Sequence, residues 1–294
     1  GQEQTVDLVL TAILANGHVL IEGVPGVAKT LLARLTARLI DADFSRIQFT
    51  PDLMPSDVLG TTVFNMKTNE FDFHQGPIFA DIVLVDEINR APAKTQAALF
   101  EVMEERQISI DGITHKMGEL YTILATQNPV EQEGTYKLPE AQLDRFLMKI
   151  TMDYPSLEEE VNILERHHTN ASLIKLDDIK PAITKEELLS LRALMNQVFV
   201  DRTLLQYIAL IVQQTRTSKA VYLGASPRAS VAMLQSSKAY ALLQGRDFVT
   251  PEDIKFVAPY VLQHRLILTA EAEMEGYSPV KVTQRLIDKV EVPK

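Results

Sequence analysis

The segment Gly23-Val-Pro-Gly-Val-Ala-Lys-Thr30 constrains the fold more than any other part of the chain. It lies between an apolar, strand-like run at His18–Ile21 and a helix-like run at Leu31–Ile40. A strand, a glycine-containing turn ending in Lys-Thr and a helix form a phosphate cradle, because the N–H groups of the turn and the helix dipole both face the anion. The alternative is a chance glycine-rich turn between a strand and a helix. The pattern favours a phosphate-binding loop in an α/β fold.

In such loops a lysine reaches the β- and γ-phosphates and the next hydroxyl can ligate Mg²⁺. Lys29 and Thr30 occupy these two positions. The loop departs from the usual G-x-x-x-x-G-K-[ST] pattern at Ala28, which is compatible with a helix start but leaves the backbone less free than glycine would. We expect the nucleotide to contact the whole stretch, namely Gly23, Val24, Pro25, Gly26, Val27, Ala28, Lys29, Thr30 and Leu31.

A second motif supports the phosphate loop. Ile82–Val85 is a continuous apolar run, as expected of a parallel strand covered on both faces, and Asp86-Glu87 follows it directly. Ligands of open α/β sheets bind at the carboxyl ends of strands. Asp86 is therefore expected to hold Mg²⁺, directly or through water, and Glu87 to polarise the attacking water. The alternative is that the pair caps the next helix. With the phosphate loop upstream, the two motifs together indicate a nucleoside triphosphatase.

Composition limits the class of protein. The 294 residues suggest one large or two ordinary domains, and 46% hydrophobic with 23% charged residues is typical of a soluble globular protein. The sequence has no apolar run that could span a bilayer, and from the residues given we expect no signal peptide. Without cysteine, disulfides, thiol catalysis and Cys-based zinc sites are excluded, which agrees with a cytoplasmic protein but does not establish one. Because the chain opens at Gly1 rather than methionine, we expect residues upstream of it.

The net charge of −10 argues against a general nucleic-acid-binding surface, although it does not exclude a local basic loop that binds nucleic acid. The histidines do not predict a metal site, since His167 and His168 are adjacent on a helix and no H-E-x-x-H occurs. Tyr222, Leu223 and the methionines and leucines of the second half are most simply core residues.

The order of elements predicts the architecture. Strand-like runs alternate with helical patterns in the first half, which implies a parallel sheet with helices on both faces; the five runs are His18–Ile21, Arg46–Phe49, Ile82–Val85, Tyr121–Ala125 and Leu147–Met152. Hairpins are expected at 61–73 and at 108–115, the second around the favoured Asp111-Gly112 pair. We therefore expect an α/β core over residues 1–152 and a small all-helical domain over 153–294.

The second half is predicted to be nearly all helical, with helices at Leu157–Arg166, Lys185–Gln197, Arg202–Arg216, Arg228–Leu243, Glu252–Ala258 and a short run at Val261–Leu268. Three helix starts have capping residues and early acids that suit the helix dipole, at Ser156, Thr184 and Thr250. The start at Ser226-Pro227-Arg228 has the same cap and proline but places a cation in the first turn, at a cost of roughly 0.3–1 kcal/mol. Either Arg228 is a solvated surface residue or it serves an anionic partner such as a phosphate.

These motifs resemble the AAA+ ATPases, and specifically the MoxR family. The strings that carry the resemblance are GVPGVAKT, GPIFADIVLVDEINRAPAKTQAALFEVMEERQ, ATQNPVEQEGTYKLPEAQLDRF, GASPRA and GRDFVTPEDI. It runs from Gly1 to about Leu268, and Ala28 is itself common in MoxR proteins. The resemblance implies a P-loop α/β core, with a helix-2 insert at about 61–75 and a pre-sensor-1 hairpin at about 107–116, followed by a helical lid. The family usually has prolines where this chain has Gly118 and Leu120, so the sequence departs from the family pattern at the end of that hairpin.

The resemblance also implies roles for three further residues. Asn128, in the ATQNP string, matches sensor 1, and the alternative is a turn-forming Asn before proline. Arg145 matches the arginine finger that completes a neighbouring subunit's site, and the alternative is a local ion pair with Asp144 or with an acid of the lid. Arg228 matches sensor 2, the lid arginine that reaches the γ-phosphate, in agreement with its unusual place in a helix's first turn.

By this resemblance, the chain is expected to be an Mg²⁺-dependent ATP hydrolase that forms a homo-oligomeric ring, expected to be a hexamer, and that remodels, matures or activates partner proteins. A partner with a von Willebrand factor A domain is typical. A magnesium-chelatase-like subunit that drives metal insertion is the first alternative, although the sequence contains no metal-binding module. A nucleic-acid motor is the weakest alternative, because the chain is acidic and lacks a basic-aromatic stripe.

Overall fold

The computed structural model describes residues 2–129, 135–168 and 178–292, apart from the side chains of residues 166 and 167. Contacts between Cα atoms divide the chain into two compact units. Unit 1 comprises Gly1–Glu3, Leu20–Leu138 and Thr151–Leu189, and unit 2 comprises Gln4–Val19, Pro139–Ile150 and Ser190–Lys294. Both units are discontinuous in sequence, whereas the predicted domains divide the chain once, after residue 152; that boundary stays a prediction.

A parallel five-stranded sheet is the main feature of the α/β region, as predicted. All strands are numbered in chain order, and β3, β4, β6 and β7 belong to two hairpins described below. The strands of the sheet are β1 (Val19–Gly23), β2 (Phe44–Gln48), β5 (Ile82–Asp86), β8 (Thr122–Gln127) and β9 (Met148–Met152). Their order across the sheet is β2-β5-β8-β1-β9. The central strands are built from residues with no solvent exposure, such as Ile82–Val85, because helices cover parallel sheets on both faces.

Two antiparallel hairpins extend from unit 1, and both predictions are confirmed. The first pairs β3 (Gly60–Asn65) with β4 (Glu70–Gln75), and the second pairs β6 (Gln107–Ile110) with β7 (Ile113–Lys116). Asp111 and Gly112 turn the second hairpin with φ values of 51° and 80°. Both values are positive because the turn that matches the twist of the strands requires left-handed backbone at its two central residues.

The helix predicted after the phosphate loop and five of the six predicted in the second half are present, and the structure also has helices that were not predicted. In chain order the helices are α1 (Glu3–Leu14), α2 (Lys29–Leu39), α3 (Pro55–Leu59), α4 (Ala93–Glu105), α5 (Glu140–Leu143), α6 (Leu157–His168), α7 (Lys185–Met195), α8 (Arg202–Thr217), α9 (Pro227–Leu243), α10 (Pro251–Leu262), α11 (Ala270–Met274) and α12 (Pro279–Asp288). The capping residues expected at Ser156, Thr184 and Thr250 are confirmed: each exchanges hydrogen bonds with the acid three residues later, an arrangement known as a capping box. Within the described ranges, no helix combines the length and the apolar composition needed to cross a bilayer.

Two expectations for the second half are wrong. The run Val261–Leu268 is not helical throughout, because α10 ends at Leu262 and β11 (Ile267–Leu268) pairs antiparallel with β10 (Val221–Leu223). Tyr222 and Leu223 are not core residues, since they are 79% and 50% exposed. The register of this short pair shifts between Val221 and Leu223, so Tyr222 has no residue opposite it in β11. A two-stranded ribbon this short covers little of either face, and apolar side chains on it stay exposed. Among the methionines, Met233 is buried but Met274 is 89% exposed.

Candidate nucleotide site

The phosphate loop leaves β1 and enters α2 through left-handed backbone. Gly26 has φ of 88°, and Ala28, the residue that caps α2, has φ of 62° and ψ of 26°. No side chain caps this helix, so the N–H groups of its first turn are directed to whatever lies in front of the loop. Lys29 Nζ donates to the Gly23 carbonyl oxygen at 2.5 Å. The lysine therefore closes the loop on itself, with its ammonium beside the backbone that forms the cradle.

A cleft of about 270 Å³ adjoins this loop. Its walls belong to unit 1. They come from the loop, from the first turns of α6, from a proline two residues before α6, and from the start of the described chain; the lining residues are Gln2, Gly26, Val27, Ala28, Pro155, Glu159, Asn162 and Ile163. The cleft has apolar side chains together with a few amides and a carboxylate, which is the usual character of a small-molecule site.

Asp86 ends β5 with its carboxylate held on two sides. Arg46 Nε, on the adjacent strand β2, donates to Asp86 Oδ2 at 2.6 Å, and Thr126 Oγ1, on the other adjacent strand β8, donates to Asp86 Oδ1 at 3.1 Å. Asp86 is only 6% exposed, whereas half of the Arg46 side chain is exposed. The carboxylate is thus fixed at the carboxyl edge of the sheet, while its cationic partner comes from the solvent side.

Glu87 follows with its backbone in the left-handed region, at φ 56° and ψ 50°. Non-glycine residues rarely adopt this conformation, and such strain occurs often at functional sites. The Glu87 N–H donates to Thr126 Oγ1 at 3.0 Å. Its carboxylate oxygen Oε2 accepts from Gln48 Nε2 at 2.8 Å and from Arg90 Nε at 3.1 Å. Glu87 therefore has a defined orientation, set by β2, β8 and the turn that follows β5.

Asn128 comes directly after β8 and is 7% exposed. Since the sheet is parallel, the ends of β1, β5 and β8 lie at the same edge. The structure therefore places the start of the phosphate loop, the Asp86-Glu87 pair and Asn128 at one edge of one unit. Thr30 lies in the first turn of α2, and Leu31, next to it, is 47% exposed.

The side chains that orient the acidic pair were not predicted from sequence. Arg46 and Gln48 lie in β2, opposite Leu84 and Asp86 in register, and Thr126 lies near the end of β8. Polar residues in otherwise strand-like runs, next to a strand ending in two carboxylates, are a signal that could have identified Arg46, Gln48 and Thr126. Arg90 offers no comparable signal, because its contact with Glu87 depends on the 3₁₀ turn at Ile88–Arg90.

The two predicted arginines belong to unit 2. Arg228 lies in the first turn of α9, after Pro227, as predicted. Ser226, expected to cap this helix, makes no capping hydrogen bond; its hydroxyl instead donates to Asp144 Oδ2 at 3.2 Å. Arg145 follows α5, and the neighbouring Asp144 Oδ1 accepts from Arg265 Nε at 2.6 Å.

Comparisons with known proteins match this site. A model of the "ATPase family associated with various cellular activities (AAA)" matches residues 18–148, and an "AAA lid domain" model matches residues 213–288. The first range contains the phosphate loop, the acidic pair, Asn128 and Arg145, and the second contains Arg228.

Similar proteins cover nearly the full length of the chain. An uncharacterised protein, YeaC of Bacillus subtilis, is 48% identical over all of this chain and 91% of its own length. Chaperone MoxR1 of Mycobacterium tuberculosis is 45% identical over all of this chain and 79% of its own length. The crystal structure of a proposed ATPase from Cytophaga hutchinsonii superposes with a TM-score of 0.91 at 41% identity, covering all of this chain and 91% of the other.

Proposed function

Because this chain belongs to the MoxR family of AAA+ ATPases, we propose that it hydrolyses Mg²⁺-ATP and uses the energy to remodel a partner protein. The proposed ATP hydrolysis is supported by one observation above all: the phosphate loop and the Asp86-Glu87 pair lie at the same edge of the sheet. The chaperone role is taken from the relative named Chaperone MoxR1 and from the family. As in that family, a homo-oligomeric ring, a hexamer, is the proposed active form.

In this proposal the phosphates lie in the loop Gly23–Thr30 and the base enters the adjoining cleft. The uncapped N–H groups at the start of α2 and the ammonium of Lys29 are the groups that would neutralise the phosphate oxygens. Lys29 would exchange its hydrogen bond with the Gly23 carbonyl for one with a phosphate oxygen. That exchange replaces a neutral acceptor by a charged one, which strengthens the hydrogen bond.

Glu87 is proposed to be the general base. A base must be oriented before it can accept a proton from water, and the contacts of Glu87 with Gln48, Arg90 and Thr126 supply that orientation. Its second oxygen, Oε1, is the atom left for the water. Asn128, at the end of the neighbouring strand, is proposed to hold the water and the γ-phosphate.

The donor set fits magnesium. The hydroxyl of Thr30 and the carboxylate of Asp86 are hard oxygen ligands, and few protein ligands suffice, since Mg²⁺ keeps several waters and binds phosphate oxygens. When bound, the ion would neutralise charge on the phosphates. Thr126 donates to Asp86 Oδ1 and so orients the carboxylate, and Arg46 on Oδ2 balances its charge when the metal is absent.

Arg145 and Arg228 are proposed to act on the γ-phosphate, Arg145 at the site of the neighbouring subunit and Arg228 at the site of its own chain. An arginine finger supplied in trans is worth about 10³–10⁵ in rate. A partner protein with a von Willebrand factor A domain is the proposed class of substrate or adaptor. Because Arg145 of one subunit would complete the nucleotide site of the next, ATP turnover would depend on assembly of the ring.

Mixing two inactive variants tests the proposal. Arg145→Ala subunits should keep ATP affinity but lose turnover by about 10³-fold or more, and Lys29→Ala subunits should lose ATP affinity. A mixture should recover activity, because the intact Arg145 of a Lys29→Ala subunit can serve the intact pocket of its neighbour. Lys94→Ala, which removes an exposed lysine of α4, is the matched control and should behave like the parent.

Phosphate release should be measured across protein concentrations, and the parent's specific activity should rise as the ring assembles. ATP binding to the folded chain should also raise its stability, by about 2.7 kcal/mol at a hundredfold excess over Kd. Turnover that is independent of concentration, together with mixtures that recover nothing, would refute the trans-acting site.

A further inference from the structure

Three consecutive side chains just after α10 contact the segment that carries Arg145. Gln263 Nε2 donates to the Lys149 carbonyl oxygen at 2.5 Å, and His264 Nε2 donates to the Phe146 carbonyl oxygen at 3.0 Å. Arg265 makes more contacts than the other two. Both segments belong to unit 2, and the residues in contact are 114 to 121 positions apart in sequence. The side chains of residues 263–265 therefore hold the backbone between α5 and the start of β9 in place.

Arg265 satisfies all five of its N–H donors on this segment and on the last turn of α10. Nε donates to Asp144 Oδ1 at 2.6 Å, and Nη2 donates to the carbonyl oxygens of Asp144 at 3.2 Å and Phe146 at 2.7 Å. Nη1 donates to the Leu147 carbonyl oxygen at 3.2 Å and to that of Val261. A guanidinium has five donors in a fixed plane, so this arrangement specifies the path of the backbone around Arg145.

The Arg265 guanidinium is buried, so its charge and its N–H donors all need partners within the protein. The Arg265 side chain is only 3% exposed, and burial lowers its pKa while the hydrogen bond with Asp144 raises it. A buried cation is tolerated only when it is paired and fully hydrogen-bonded. The other Asp144 oxygen accepts from Ser226, so this carboxylate is held from two directions.

We propose that Arg265 is a positioning residue that sets the conformation of Asp144–Leu147 and so directs Arg145 toward the neighbouring subunit's nucleotide. Arg265 does not touch nucleotide; it acts through Asp144 and the loop carbonyls. The inference rests on the proposed function of Arg145. It differs from a purely structural ion pair in one respect: loss of Arg265 should impair the site of the neighbour and leave the subunit's own pocket intact.

Arg265→Lys is the main variant, because it keeps the charge but offers three donors in place of five, without the planar fork. Arg246→Lys is the matched control in the same unit. Arg246 forms a two-pronged ion pair with the buried carboxylate of Asp253, with Nη1 and Nη2 at 2.7 and 2.5 Å, and none of its described contacts involves the segment 144–149. A misplacement of about 1 Å in a catalytic group can cost 10²-fold in rate.

We therefore expect Arg265→Lys to lower kcat by roughly 10²-fold with little change in ATP affinity, and Arg246→Lys to keep kcat within a few-fold of the parent. Arg265→Lys subunits mixed with Lys29→Ala subunits should recover activity. In an Arg145→Ala background, Arg265→Lys should cause no further loss, because the two residues act as one unit. If Arg265→Lys fails to fold, Asp144→Asn tests the same link with the side-chain shape retained.

The outcomes separate the two proposals. If Arg145→Ala itself keeps full turnover, the trans-acting finger is wrong. If Arg145→Ala loses turnover but Arg265→Lys keeps it, or if the two losses multiply in the double variant, only the positioning role is overturned. Losses that mixing fails to restore would equally overturn it, since they would indicate damage to the subunit's own pocket.

Discussion

Replacing Glu87 by glutamine should separate catalysis from folding and from nucleotide binding. The change removes a charge and the capacity to accept a proton, and it keeps the volume and one amide oxygen. Loss of a general base lowers turnover by roughly 10²–10⁴-fold, which corresponds to about 2.7–5.5 kcal/mol in the barrier. Because the ATP state then persists, the assembled ring should also be longer-lived in the presence of ATP.

The expected effect on stability is much smaller. In Glu87→Gln, the amide oxygen can still accept from Gln48 Nε2, which donates to Oε2 at 2.8 Å in the parent. The ion pair with Arg90 is lost, but its two side chains are 37% and 32% exposed. Solvent screening at that exposure limits the pair to under about 1 kcal/mol, so the unfolding temperature should hardly move.

The measurements are ATP affinity by calorimetry, phosphate release, and elution volume in ATP. Glu101→Gln is the matched control, since it makes the same change at an exposed position of α4 and should match the parent in all three. ATP affinity that falls together with turnover would mark Glu87 as a structural residue or metal ligand. Turnover within tenfold of the parent would refute its role as the base.

Two further predictions concern the protein's stability. Burial, and then the charge of Arg265, lowers the pKa of His264 well below its usual value, so the folded chain holds this histidine neutral. The unfolded side chain is also neutral above about pH 7.5, so stability is full there. It falls at lower pH as the unfolded histidine takes up a proton, by up to about 1.4 kcal/mol per pH unit and up to about 2 kcal/mol between about pH 7.5 and 5. Urea titrations at several pH values should show this difference between the parent and His264→Gln, which keeps a donor for the Phe146 carbonyl but cannot titrate, and parallel pH profiles would contradict it. Ala28→Gly should stabilise the nucleotide-free protein by about 0.5 kcal/mol, because left-handed backbone costs alanine about 1–2 kcal/mol and the greater freedom of glycine in the unfolded chain cancels about 0.5–1 kcal/mol of that gain. Gly26→Ala, at φ 88°, should destabilise the protein instead. Thermal unfolding temperatures that shift in the same direction for both variants would count against this reasoning.

Much of the fold follows from local pattern. Strands such as Ile82–Asp86 are short apolar runs next to turn residues, and the Asp111-Gly112 hairpin and the capping boxes depend on neighbours within a few residues. The left-handed backbone of Ala28 and Glu87 was not predicted, because neither residue type favours it and only the surrounding structure maintains it. The β10–β11 pair was likewise missed, since two- and three-residue strands have too little periodicity to recognise.

By itself, the sequence determined the order of elements, the phosphate loop and the acidic pair that follows a buried strand, because these depend on interactions between residues close together in the chain. Only the tertiary structure decided the strand order β2-β5-β8-β1-β9, the contacts of Arg46 and Gln48 with the acidic pair, and the five hydrogen bonds of Arg265. Arg265 and Asp144 are 121 residues apart, and no local pattern indicates which buried acid a distant arginine will meet. Such pairs form only when packing brings separate segments together, because burial then requires each charge to find a partner.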